Sequence, residues 1–189
     1  MIMSYSSYIE TINKTLSSLD LEQVRELENK LIHSIENNKN VFIFGNGGSA
    51  ANAIHIANDL IYGITKRFGK GIKVNALSAN TAVITCLAND EGYDQIFVRQ
   101  LAVLANSEDI VIALSGSGNS KNIVNAISWS NDNNLETFAI LGYDGGKAKA
   151  ITKFPIHTNI NDMQISEDLQ LIIAHMIMQN IYEYYDEKS

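Results

Sequence analysis

The sequence predicts an α/β fold, a doubly wound five-stranded parallel sheet flanked by helices and preceded by an N-terminal helical extension. Three observations predict it. Short β-rich runs alternate with longer segments of helical period. The runs are nearly continuous in apolar residues, as strands covered on both faces must be. Two of them end in glycine- and serine-rich turns that open helices, the arrangement found where such sheets bind ligands.

Two helical stretches come first, about Tyr5 to Leu16 and Leu19 to Asn37, with Ser18 as the candidate N-cap of the second. The first strand is Val41 to Phe44, and a helix from Ser49 to Tyr62 follows it. Strand Ile72 to Leu77 leads to helices at Asn80 to Ala88 and Asp94 to Ala105. Strand Ile110 to Leu114 is followed by a helix from Asn119 to Asn131, then by strands Thr137 to Leu141 and Phe154 to His157. A last helix runs from Ser166 to about Tyr185. The joints Asn37 to Asn40 and Asn131 to Asn134 have the chemistry of turns that close helices before strands. No internal repeat and no linker interrupts this order, so a single domain is expected, with residues 1–39 forming the N-terminal helices and 40–189 the α/β core and C-terminal helix.

With 189 residues, 46% of them hydrophobic, the chain can bury a full core. No apolar run approaches the roughly 20 residues of a membrane span, and the first eight residues lack the basic and apolar regions of a secretory signal. A cytoplasmic location and no membrane partner are therefore expected. A net charge of -7 argues against a nucleic-acid partner, which needs clustered Lys and Arg. Lys66, Arg67, Lys70 and Lys73 form one basic cluster, readable as a solvated loop or as an anion-attracting rim. Cys86 is the only cysteine, which rules out an intrachain disulfide and cysteine-rich zinc modules. Its apolar neighbours predict an inert buried thiol. The apolar stripe of Leu19, Val24, Leu27, Leu31 and Ile32, and that of Leu169, Ile172, Met176 and Ile177, need covering by the domain or by a second subunit.

The turn after the first strand reads Gly45-Asn46-Gly47-Gly48-Ser49. Glycines let a ligand approach the backbone, and the amides and dipole of the following helix favour an anion. The G-x-G-x-x-G spacing of dinucleotide folds is absent, and no Gly-Lys-Ser/Thr follows. A second turn, Ser115-Gly116-Ser117-Gly118-Asn119-Ser120, ends another strand. The hydroxyls of Ser49, Ser115, Ser117 and Ser120 suit a phosphate, although each serine singly also fits a cap or turn.

Reactive groups lie on two helices. Within the first, Ala50, Ala53, Ile54, Ala57 and Leu60 mark the buried stripe. His55 and Asp59 stand four residues apart on a common face, which suits two ligands of one metal ion or an exposed hydrogen-bonded pair. His175 sits in an otherwise apolar helix, where a core histidine is the alternative. Glu167 follows Ser166, where a first-turn acid favoured by the helix dipole is the alternative.

The paired turns resemble the phosphate-binding signature of SIS (sugar isomerase) domains, over roughly Asn40 to Met178. Asn89 to Tyr93, with Phe97, Gln100 and the turn Gly142 to Gly146, resembles the phosphoheptose isomerase family in particular. This resemblance implies aldose-ketose isomerisation of a seven-carbon sugar phosphate through an enediol(ate). It implies substrate binding by Asn46, Gly47, Gly48, Ser49, Asp90, Ser115, Gly116, Ser117, Ser120 and Glu167, and proton movement by His175 with Asp59 or Glu167. It further implies a zinc ion held by His55, Asp59, Glu167 and His175, and a homotetramer. The pattern departs from the family in three places: Asp59 stands for the usual Glu, Glu167 for the usual Gln, and Gly63 for a common Arg. Eight residues of straight helix rise about 12 Å, so Glu167 and His175 can share an ion only if Glu167 lies at a frayed helix start. A different phosphosugar, or a non-catalytic phosphosugar-binding role, are the rival expectations; His175, which regulator-like relatives tend to lack, favours the enzyme.

Overall fold

A computed structural model describes residues 4–188; Met1, Ile2 and Met3 of the amino-terminal stretch read above, and Ser189, lie outside the described residues. Helices α1 (Tyr5–Ser17) and α2 (Leu21–Glu36) precede strand β1 (Asn40–Gly45). Helix α3 (Gly48–Asn58) runs through a π-helical turn (Asp59–Gly63) into α4 (Ile64–Phe68). Next come β2 (Lys73–Ala76), α5 (Thr81–Asp90), a short 3-10 turn (Tyr93–Gln95) and α6 (Val98–Leu104). Strand β3 (Ile110–Ser115), α7 (Lys121–Asp132), β4 (Glu136–Leu141), α8 (Gly146–Ile151), β5 (Phe154–His157) and α9 (Met163–Asp186) complete the chain.

The five strands are all parallel in the order β2-β1-β3-β4-β5. Chain direction across the sheet reverses between β1 and β3, so their C-terminal ends flank the switch point at which doubly wound sheets leave a crevice. Alternation along each strand splits the core in two. Val41, Ile43, Ile110, Ile112, Phe138 and Ile140 pack with α2, α3 and α9. Phe42, Phe44, Val111, Ala113, Ala139 and Leu141 pack with α6, α7 and α8 on the other face.

The helix boundaries follow from caps. Ser18 closes α1, and Asp20 caps α2 by accepting from the Glu22 amide, so the cap expected at Ser18 lies two residues later. The asparagine joints end α2 and α7 on Asn38 and Asn134 in the left-handed region, with φ of 58° and 59°. Asp162 accepts from the Ile165 amide at 2.9 Å and starts α9 three residues earlier than Ser166. Glu167 consequently lies inside the helix and not at its frayed start.

Several expectations are corrected on the same grounds. Lys66 and Arg67 belong to α4, because the π-helical turn carries the first core helix onward to the left-handed Gly69. In the stripe of α3, Ser49, Ala53, Ile56 and Ala57 are buried and Leu60 follows them, whereas Ile54 is 43% exposed. On α9 Leu169 and Ile177 are buried, but Met176 is 39% exposed and the seam runs through Ile173 and Ala174. The stretch from Asp94 to Ala105 divides into the 3-10 turn and α6. Cys86 is exposed and not buried, since α5 has no buried residue.

Candidate functional site

Two loops meet at the β1/β3 switch point. The first runs from β1 into α3, where Gly47 is the N-cap with φ 56°, a conformation that L side chains rarely adopt, and no side chain caps the helix. The helix start is therefore left to a ligand or to water. Gly48 is needed for space: a Cβ there would lie 2.2 Å from Glu167 Oε2. The Glu167 carboxylate thus rests on the backbone of the first turn. The second loop joins β3 to α7. Ser115 Oγ accepts from the Gly118 amide at 3.0 Å, and Ser117 Oγ from the Asn119 amide at 3.3 Å. Ser120 is the N-cap of α7 and makes no side-chain cap bond, so apart from the Ile123 amide, which Asn122 Oδ1 accepts, the first amides of this helix are also open. The first turn of α8 braces this loop, with the Lys147 amide donating to Asn119 Oδ1 at 3.1 Å.

Polar contacts lock α3 to α9 beside the first turn. Asn52 Nδ2 donates to the Glu167 carbonyl and to Gln170 Oε1, both at 2.9 Å, and Gln170 Nε2 donates to Ser49 Oγ at 3.0 Å. Gln170 is 1% exposed and Ser49 3%, so these bonds form away from water, where leaving a partner unmatched is costly. Ser49, expected as a phosphate ligand, has its oxygen engaged by Gln170 and retains only its hydroxyl hydrogen to donate. Neither Asn52 nor Gln170 was singled out in the sequence; their signal is spacing, since Ser49 and Asn52, and Glu167 and Gln170, are each three apart on facing helices.

Further along the same two helices three donor atoms converge. His55 Nε2 lies 3.3 Å from His175 Nε2, and each lies 3.2 Å from Asp59 Oδ2. Asp59 opens the π-helical turn, an irregularity often associated with functional sites. The two imidazoles are about half exposed and the carboxylate 21%, so the group opens to solvent on one side. Bonds of about 2.0–2.1 Å to a tetrahedral zinc would place its ligand atoms roughly 3.3–3.4 Å apart, and the observed triangle fits that spacing. These three residues form the group able to hold a metal ion among the described residues, and Glu167 is not part of it. The four-ligand expectation is therefore corrected to three, because α9 begins at Met163 and Glu167 turns to Gly48.

Asp90 lies at the exposed end of α5, where its oxygens meet Asn89 Nδ2 at 2.7 Å and Cys86 Sγ at 3.5 Å. The hydrogen bond to Asp90, followed by the carboxylate's charge, pushes the Cys86 thiol up from 9.0, away from the reactive thiolate. The 3-10 turn after α5 brings Tyr93 to the first loop, where its hydroxyl donates to Asn46 Oδ1 at 2.9 Å. Gly63 faces α9, as a Cβ there would lie 2.9 Å from the Tyr182 hydroxyl.

Comparison with known proteins places this geometry. The SIS domain family model matches residues 4–142. A phosphoheptose isomerase from Helicobacter pylori is 34% identical over 185 residues, 98% of this chain and 95% of the relative. A probable phosphoheptose isomerase from Thermoplasma volcanium is 32% identical over 184 residues, 97% of this chain and 93% of the relative. Among solved structures, the phosphoheptose isomerase of Neisseria gonorrhoeae superposes with a TM-score of 0.85 at 24% identity, covering 94% of each chain, and shares the fold.

Proposed function

The chain belongs to the SIS domain family and to its phosphoheptose isomerase branch, and from that membership and the site's chemistry we propose that it converts sedoheptulose 7-phosphate to D-glycero-D-manno-heptose 7-phosphate. The observation that carries the reading is the pairing of two uncapped helix starts at the switch point with the cluster of His55, Asp59 and His175 beside them. This pairing supports a site in which the loops bind an anion and orient a sugar while the cluster supplies acid-base chemistry.

The phosphate is held by the second loop, through the hydroxyls of Ser115, Ser117 and Ser120 and the amides at the start of α7. The carboxylate of Glu167 over Gly48 repels it from the first loop, so the two loops are not equivalent and the substrate has one orientation. Asn46, Gly47, Gly48 and Asp90 then meet the sugar hydroxyls. Zinc fits the donor set of His55 Nε2, Asp59 Oδ2 and His175 Nε2, and when bound it supplies Lewis-acid polarisation of the carbonyl and adjacent hydroxyl oxygens. With those three residues engaged, Glu167 is the carboxylate left to accept the proton from carbon 1 and return it at carbon 2.

A second reading rests on the 3.2 Å contact between His175 Nε2 and Asp59 Oδ2. Without a metal this pair can itself act as the acid-base dyad, the two groups being within hydrogen-bond reach of one another. The exposed face of α5 and the 83% exposure of Val103 on α6 support assembly into a homotetramer, and a cytoplasmic enzyme accords with the lack of any described helix long and apolar enough to cross a membrane.

The test is turnover of sedoheptulose 7-phosphate followed by NMR, on protein stripped of metal and then resupplied with zinc. Zinc-dependent turnover, lost in His175→Ala with the fold retained, is the expected result. Full activity of stripped protein would transfer the proton to the Asp59–His175 dyad, and phosphosugar binding with no turnover at all would sink the isomerase reading.

A further inference from the structure

Asn122, in the first turn of α7, was not read as functional, yet it is 2% exposed and uses both polar atoms of its amide in a contact with the other loop. Asn122 Nδ2 donates to Asn46 Oδ1 at 2.8 Å, and Asn46 Nδ2 donates to Asn122 Oδ1 at 2.9 Å, a closed pair of amides that ties the β1 loop to the β3 loop. Asn122 Oδ1 also accepts from the backbone amide of Ile123 at 3.0 Å.

That last bond sets the direction of all the others. A backbone amide can only donate, so the Asn122 atom facing it must be the oxygen. Asn46 must then donate through Nδ2 and accept through Oδ1, and Tyr93, 2.9 Å from the same Oδ1, must act as donor. The oxygen of Asn46 is thus taken by two donors, while one hydrogen on its Nδ2 has no partner among the described residues. Beside this network lies a cleft of about 520 Å³ lined by Asn46, Tyr93, Asp94, Ser120, Lys121 and Asn122, and it reaches the phosphate-binding end of the second loop at Ser120.

We infer that Asn122 is a positioning residue which, through its paired amide bond and with Tyr93, orients Asn46 so that a single N–H donor faces an oxygen of the bound sugar phosphate. This rests on the phosphosugar reading above. It predicts that Asn122 acts on the substrate through Asn46 and not directly. Because an anchor of this kind is used equally in the ground and transition states, its loss raises KM more than it lowers kcat.

The experiment is a double-mutant cycle of Asn46→Ala and Asn122→Ala, with Tyr93→Phe alongside, read as calorimetric affinity for sedoheptulose 7-phosphate and as KM and kcat. Each alanine variant is expected to weaken binding roughly ten-fold, and the double variant to be no weaker than Asn46→Ala. Tyr93 is 54% exposed, so Tyr93→Phe keeps the fold even where Asn122→Ala does not, and it is expected to weaken binding by roughly two- to five-fold. Unchanged affinity in folded Asn122→Ala or in Tyr93→Phe, or additive losses in the double variant, overturns the assignment. Because the cycle is read on binding, it stands apart from the isomerase reading: a wild-type chain that binds without turnover refutes the latter while the cycle still decides the role of Asn122.

Discussion

Single side chains in this molecule mostly do their work by meeting another helix. Tyr8 on α1 donates to Asp168 Oδ2 on α9 at 2.6 Å, next to Glu167. That hydrogen bond, with smaller contributions from burial and from the charges of Asp168 and Asp162, pushes the phenol up from 10.0 to about 12. A folded-state value above the unfolded one means that the tether is fully present below pH 10 and is lost as the pH rises through 12. Protection of α1 from limited proteolysis should therefore hold from pH 7 to 10 and fall above it, and Tyr8→Phe should expose α1 already at pH 7. Equal protection of α1 in wild type and Tyr8→Phe would show that the bond holds nothing. His55, Asp59 and His175 follow the same rule, since the i,i+4 pair gains its third member only from α9.

At the scale of elements, the seam between α3 and α9 decides the site. Apolar contacts from Ala53, Ile56, Ala57, Ile173, Ala174 and Ile177 bring the helices together, and the buried polar set of Ser49, Asn52 and Gln170 sets their register. Removing Asn52 would leave the buried Gln170 Oε1 without its donor, at a cost of about 1–3 kcal/mol. Asn52→Ala should accordingly lower the denaturant midpoint at unchanged m and weaken the proposed zinc binding by His55, Asp59 and His175, which depend on the same alignment. Retained stability together with unchanged zinc affinity would show that the apolar seam alone fixes the register. The π-helical turn at Asp59–Gly63 belongs to this scale as well: Leu60 within it and Ile64 after it are both buried, at 2% and 0% exposure, while Asp59 at its start contacts His175.

Considered as a whole, the molecule exposes apolar side chains on several elements, among them Ile54 on α3, Met176 on α9 and Val103 and Leu104 on α6. An open groove of about 750 Å³ between α5 and α6 includes Leu77, Val83, Cys86, Leu87, Val103 and Leu104, and a run of apolar side chains open to solvent suits a surface that meets a partner. The proposed homotetramer gives it one. Sedimentation should report four chains, and Val103→Glu, which places a charge in the groove, should shift the assembly towards smaller species with the secondary structure unchanged. A wild-type monomer at micromolar concentration would refute the proposed assembly. The Asn46–Asn122 bridge and the Tyr93 contact lie close to this face, because the 3-10 turn that carries Tyr93 directly follows α5.

The alternation of strands and helices, the two glycine- and serine-rich turns and the spacing of His55 and Asp59 were legible along the chain, since they depend on local pattern: apolar runs for β1, β3 and β4, glycine and serine at strand ends, and a His and an Asp at helical spacing; the order of the strands in the sheet was not. Caps blurred the boundaries, because Ser18, Asp20, Asp162 and Ser166 all have capping chemistry and only the folded backbone selects Asp20 and Asp162. The burial of Cys86 was misread for a related reason: the apolar run of α5 reports that something should cover it, not that this chain does. Tertiary structure alone decided that Glu167 lies against Gly48 and apart from the group of His55, Asp59 and His175, that His175 reaches Asp59, and that Asn122 binds Asn46 across 76 residues of sequence. Those are contacts between distant segments, set by how helices pack on the two faces of a sheet, and no local pattern encodes their distances.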